Sequence, residues 1–397
     1  MEPGLTARTE PALRIGVAIA DMSEFEAIDP AYGIGDQEAH VAALLSAEMN
    51  RSDAPPLPCP LELVFRTFGS TSIEHKRSVA DEFAGDGVLA VIGARDFTYG
   101  SVRLAETHHV PVIDVNAAPR TIFERTDPWL FTIRAAQDLV YLAYVGWAHQ
   151  EGLLDDRRIG VFSDRYTATS TRAALDRLAA LGHRPAVHIE SDGVGVGSAH
   201  DLEAARHFHD AGVDLVLPFV SGSSLARLLR ALAELEHHVV VVDLETGEHA
   251  TDVSASVMPA ALYEGTQALV MSRVGEVAAG RPLDTTAERA VVAVESATGR
   301  MIARSGRDSS GELSNILLVA DLVAVLCTAL RNVDGDIGRE SLVAAIEQID
   351  AMPSASGGRL TFQPGEHWGC RELRRIEWRE GLWRAVSDYQ PIDTWTT

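Results

Sequence analysis

From Arg14 onward, short β-branched apolar runs alternate with stretches whose apolar positions recur every three or four residues. The run "LRIGVAIA" leads to a helix over Asp36–Asn50, where Val41, Leu44, Leu45 and Met49 share one face. "LELVFRTF" precedes a helix near Ser72–Ala84, and "VLAVIG" precedes one near Tyr99–Thr107. "VPVIDV" and "LFTIRA" follow, then a helix near Gln137–Gly152. At Arg158 the rhythm restarts with "RIGVFS", a helix Thr169–Leu181, "PAVHIES", a helix Ala199–Ala211, "DLVLPFV", a helix Ser223–Leu235 and "VVVVDL". Runs of this kind suit parallel strands buried on both faces. The alternation predicts doubly wound α/β sheets, with ligand-binding loops at the strand C-termini.

Beyond Gly265 the pattern turns helical, with helices expected over Gly265–Gly280, Thr286–Arg304, Ser314–Asn332 and Glu340–Ile349. "GRLTFQP" then reads as β, and "RELRRIEWREGLWRAV" as a hairpin turning at Glu380-Gly381. Two similar α/β lobes with a cleft between them follow from the repeated series. The expected division is residues 14–134 with 266–350 for the first lobe, and 135–265 with 351–397 for the second.

A length of 397 residues fits about two domains, and 46% apolar with 23% charged residues is globular. The net charge of −23 opposes phosphate backbones and anionic lipid, so neither nucleic acid nor a membrane surface is an expected partner. Apolar runs fall short of the roughly 20 residues of a spanning helix, so no direct membrane insertion is expected. Cys59, Cys327 and Cys370 are far apart, without C-x-x-C or a histidine at zinc-ligand spacing, and no metal or cofactor is expected.

Candidate chemistry is sparse. "DGVGVGSAHDL" (Asp192–Leu202) lies between a strand and a helix, but its glycines are spaced G-x-G-x-G, not as a dinucleotide fingerprint. The pairs His108-His109, His207/His209 and His237-His238 do not share a helix face and read as solvated or capping groups. No G-x-S-x-G elbow occurs, and Ser221–Ser224 reads as a helix cap. No enzyme is expected; nucleotide-dependent catalysis at Gly193–Gly197 is the remote alternative. Polar residues do gather at strand ends. Asp96, Phe97 and Thr98 follow "VLAVIG"; Asn116, Ala117 and Ala118 follow "VPVIDV". Asp164, Arg165 and Tyr166 follow "GVFS", Ser221 follows "DLVLPFV", and Glu245 follows "VVVVDL". Helix N-termini at such places offer N–H groups to a carboxylate, and a carboxylate such as Glu245 can hold an ammonium group.

Taken in order, these segments resemble the leucine/isoleucine/valine-binding proteins, amino-acid members of the type I periplasmic binding proteins. "GVAIADMS…YGIGDQEAHVAALLSAEMN" resembles the family's first strand, glycine loop and first helix. "FRTFGSTSIEHKRSVADEFAGDGVLAVIG", "VPVIDVNAAPRTIF" and "LLVADL" resemble its second strand and helix, second binding loop and late helix. The resemblance implies two α/β lobes joined by three crossovers that close on a small ligand. It places Thr98, with Phe97, near the ligand-binding Ser/Thr loop, and Ala117 and Ala118 at the step whose backbone meets an amino-acid carboxylate. Ser221 matches a position that is often aromatic, and Glu245 the residue that takes the α-ammonium group. "DRYTATS" departs from D-x-x-[YF]-G, with Tyr166 early, and Asp96 stands where a half-cystine often sits.

The function so implied is capture of a small amino acid or related amine for the membrane subunits of an ABC transporter. The "YGIGDQE" stretch is then expected at the rim of the cleft, its small residues admitting the ligand. The N-terminus has no basic segment ahead of an apolar core. Removal of an export signal would imply a periplasmic or cell-surface protein, whereas a true start at Met1 implies a cytoplasmic sensor on the same fold.

Overall fold

The apolar runs of the first half pair as one all-parallel sheet in the order β2-β1-β3-β4-β5. Its strands are β1 (Leu13–Asp21), β2 (Leu61–Gly69), β3 (Ala90–Ile92), β4 (Val112–Asp114) and β5 (Leu130–Thr132). A computed structural model describes residues 12–23, 34–69, 72–93, 97–165, 167–191, 199–220, 222–244, 258–273, 279–305 and 310–396. The second series forms a separate sheet, β14-β13-β10-β9-β8-β6-β7. It contains β6 (Ile159–Asp164), β7 (Val187–Ser191), β8 (Leu215–Phe219), β9 (Val240–Leu244) and β10 (Gln267–Val270). β11 (Met352–Pro353) and β12 (Arg359–Leu360) form a small ribbon before β13 (Glu372–Arg379) and β14 (Leu382–Ala385). The molecule is a two-lobed α/β protein.

Helix starts follow their caps. α1 (Gln37–Met49) begins after Asp36, whose carboxylate accepts from the Ala39 N–H, and α2 (Ile73–Gly85) after Ser72, which accepts from the His75 N–H. α3 (Thr98–Arg103) continues into a π-helical turn to His108. α4 (Arg120–Thr126) precedes β5, and α5 (Gln137–Gln150) follows it. In the second lobe α6 (Ala168–Ala180), α7 (Ala199–Asp210) and α8 (Gly222–Glu234) alternate with strands. The short α9 (Ala260–Tyr263) precedes β10. α10 (Thr285–Thr298), α11 (Ser310–Asn332) and α12 (Arg339–Ile346) return to the first lobe, and α13 (Asp393–Thr396) ends on α5.

Three findings revise the sequence expectations. The helix expected over Gly265–Gly280 is instead β10 in its first part, parallel to β9 and antiparallel to β13. A four-residue apolar run carries no period that separates helix from strand, and here the open edge of β9 decides. The division expected at Thr266 therefore falls just ahead of a strand that belongs to the second sheet. Finally, the Gly311–Asn332 stretch of α11 is long and apolar enough to cross a membrane by length and composition, yet 83% of its apolar window is buried. Protein, not lipid, covers it.

The chain passes between the sheets three times, and the passages lie side by side. The Cys370 N–H donates to the Arg134 carbonyl at 3.3 Å and the Ala135 N–H meets the Met271 sulfur at 3.3 Å. Ser272 bridges Gly357, where a Cβ would stand 2.6 Å from the Met271 carbonyl oxygen. Asp321 of α11 fixes this corner. Its buried carboxylate accepts from the Ser354 and Ser356 hydroxyls, both at 2.6 Å, and from the Ala355 and Ser356 N–H groups. Burial outweighs those bonds and raises its pKa.

Candidate functional site

β3 and β4 are neighbours in register, Val91 beside Val112 and Ile92 beside Ile113, so the loops leaving them are neighbours too. These loops carry Phe97–Thr98 and Asn116–Ala118. Asp114, the last residue of β4, organises both. Its carboxylate accepts from the Asn116 N–H at 2.8 Å and the Asn116 side-chain amide at 2.5 Å, and from the Ser101 hydroxyl of α3. Gly93 lies against it, where a Cβ would be 3.1 Å from the carboxyl carbon. Complete burial pushes its pKa up to about 6, the Ser101 and Asn116 bonds offsetting part of the rise.

The second loop is tied to the lobe junction. The Thr132 hydroxyl donates to the Asn116 carbonyl at 2.9 Å, and the Gln137 N–H to the Ala118 carbonyl at 2.9 Å. Gln137 opens α5, and its side-chain oxygen accepts from Ser170 of α6 at 2.9 Å. A continuous bonded path thus runs from the strand-end loop of one lobe to a helix of the other. Across from it, Thr167 joins the ends of β6 and β8, its N–H donating to Asp164 at 3.0 Å and its hydroxyl to the Phe219 carbonyl at 2.7 Å. At the end of β9, Asp243 is fully buried and takes the Tyr263 hydroxyl at 2.5 Å.

Thr98, Asn116 and Ala117 are half-buried at these strand ends, and Ala118 is nearly covered. The Phe97 ring is fully buried, 4.9 Å from Phe68 and edge-on to Phe83 at 6.4 Å. An aromatic ring beside two others gains more from the core than from a polar rim. Asp96, Tyr166, Ser221 and Glu245 lie outside the described residues, as do Asp192–Ser198 of the glycine run. Asp114, Thr132 and Gln137 are missing from the sequence-level set. The D-x-N spacing of Asp114 and Asn116, typical of a side chain that bonds backbone two residues on, was the available signal.

Gly35 has φ +69, and a Cβ there would stand 2.5 Å from Glu312 and 2.7 Å from His40. The missing side chain at Gly35 leaves room for Glu312 of α11, while Tyr32 and Gly33 of the same stretch lie outside the described residues. A cavity of about 340 Å³ lies elsewhere, lined by Arg273, Arg281, Asp284, Arg374, Asp388 and Tyr389 among others. It contains none of the strand-end residues, and Arg273 pairs there with Asp284.

No protein-family model matches the chain, and no curated protein does. Solved structures do. A leucine-binding protein from Thermotoga maritima superposes with a TM-score of 0.70 at 15% identity, over 96% of this chain and 100% of that one. This is the type I periplasmic binding protein fold. A branched-chain amino acid ABC transporter protein from Thermus thermophilus with bound valine gives 0.70 at 14% identity, over 96% and 97%. The same fold carries a solute-binding protein of an ABC transporter from Rhodopseudomonas palustris in complex with 3,4-dihydroxybenzoic acid, at 0.68 and 16% identity, over 96% and 98%. These three structures are described as binding or transporter proteins.

Proposed function

We propose that the protein captures a small amino acid or related amine-bearing solute between its lobes and hands it to the membrane subunits of an ABC transporter outside the cytoplasm. The observation that carries this reading is the Asp114-organised loop, which presents Asn116–Ala118 at a strand end and is bonded through Gln137 to the opposite lobe. Backbone at Ala117–Ala118 and the Thr98 hydroxyl would meet the solute's carboxylate. Glu245, directly after β9, would take its ammonium. The proposed division keeps β1–β5 and α10–α12 in the first lobe and assigns β6–β10, β13 and β14 to the second.

A thermal-shift screen against amino acids, aromatic carboxylates and nucleotides tests the reading. A solute at 100 times its dissociation constant adds about 2.7 kcal/mol. Stabilisation by amino acids supports it; response only to benzoates, the ligand class of one structural relative, would move the assignment to aromatic acids. Response only to nucleotides would end it. A charge-assisted hydrogen bond is worth roughly 1.5–3 kcal/mol, so Glu245→Gln should weaken amino-acid binding about tenfold or more by calorimetric titration.

A further inference from the structure

We propose a transition-metal site of two imidazoles and one carboxylate at the far end of the second lobe, formed by His149, His183 and Asp155. Their ligand atoms all lie within 4.8 Å of one another. The Nδ1 atom of His149 and the Nε2 atom of His183 are 3.0 Å apart. The sequence hides this pair, because the histidines are separated by 34 residues, one near the end of α5 and the other just beyond α6.

Helix ends hold all three in place. α5 and α6 start together at the cleft end, joined by Gln137 and Ser170, and pack along their length. Both stop in the same way. In α5, Gly152 (φ +68) donates to the His149 carbonyl at 3.0 Å and Leu153 to the Ala148 carbonyl at 2.9 Å. In α6, Gly182 (φ +87) donates to the Ala179 carbonyl at 3.1 Å and His183 to the Leu178 carbonyl at 2.9 Å. These paired bonds are the left-handed glycine stop, which fixes the backbone on either side of it. His149 thereby ends one helix beside His183, which leaves the other. Asp155 closes the group, its N–H donating to the Gly152 carbonyl at 3.3 Å and its carboxylate oxygen lying 3.3 Å from where a Cβ on Gly152 would stand.

Two nitrogens and an exposed carboxylate suit a zinc-class cation, with a solvent position left open. Nitrogens held at about 2.0–2.1 Å on a tetrahedral ion stand about 3.3 Å apart, so the rings need to part by only a few tenths of an ångström. Without metal, one ring donates to the other. The site lies about 18 Å along α5 from Gln137, at 1.5 Å per residue, and is therefore separate from the solute cleft.

Calorimetric titration of the full chain, free of any histidine tag, with Zn²⁺ or Ni²⁺ alone tests the assignment. One site per chain is expected, with no response to Mg²⁺, which prefers oxygen ligands. His183→Ala and Asp155→Asn should each weaken binding about tenfold or more, while His207→Ala, a change at an exposed helix position, leaves it unchanged. Asp155 is on an exposed turn, so its variant keeps the test valid if a histidine variant fails to fold. Absence of Zn²⁺ binding, or binding that survives both substitutions, would overturn the proposal.

Discussion

Asp114 shows how much a single buried carboxylate governs here. Burial raises its folded-state pKa to about 6 from an ordinary 3.8. Between those values the folded chain binds the proton and the unfolded chain does not. Its contribution to stability is therefore full below pH 3.8 and is lost as pH rises through about 6. A shift of about two units corresponds to about 3 kcal/mol. Urea unfolding of wild type and Asp114→Asn between pH 4 and 7 isolates this group, since the other carboxylates cancel in the difference. The stability of the variant relative to wild type should rise across that range by up to about 3 kcal/mol; parallel curves would show that Asp114 does not titrate there. The strand-end position of Asn116–Ala118 was legible from the sequence, because polar residues after an apolar run mark a loop. The D-x-N spacing pointed to the local bond between Asp114 and Asn116, but the burial of Asp114 was not legible, because within "VPVIDV" a buried acid and an exposed one look alike.

Among the elements, legibility tracked local chemistry. Asp36 and Ser72 cap helices that begin one residue later, and Glu380-Gly381 turns its hairpin with φ 55 and 78, the two positive values a two-residue loop favours. β10 escaped because tertiary pairing, not periodicity, made it a strand. Docking of distant segments was equally hidden. Gly146 in α5 faces α13, and a Cβ there would stand 1.8 Å from the Trp395 carbonyl oxygen. Gly146→Ala should force α13 off its seat and cost about 1–3 kcal/mol, the usual range for overpacking. In a chain ending at Pro391 the same change should be neutral, or stabilising by up to about 1 kcal/mol through helix propensity. Chemical denaturation of the four proteins gives the coupling. Equal costs in both backgrounds would mean that α13 is not what Gly146 accommodates.

At the scale of the whole molecule, the two sheets share no strand, and three adjacent passages carry the connection between them. Lateral bonds at Arg134–Cys370 and Ser272–Gly357 keep those passages in register, and the proposed capture of a solute would turn one lobe against the other about them. If the proposed solute bridges the Asp114-organised loop and the end of β9, binding selects the closed arrangement by the contacts it makes with both lobes at once. A single compact body of this length has a radius of gyration of about 21 Å. Solution scattering of the unliganded protein should exceed that value and fall toward it when the solute identified by the thermal screen saturates the cleft. A solute that stabilises the protein against heat without changing its radius would show that the lobes stand closed beforehand, and rotation about the three passages would then play no part in binding.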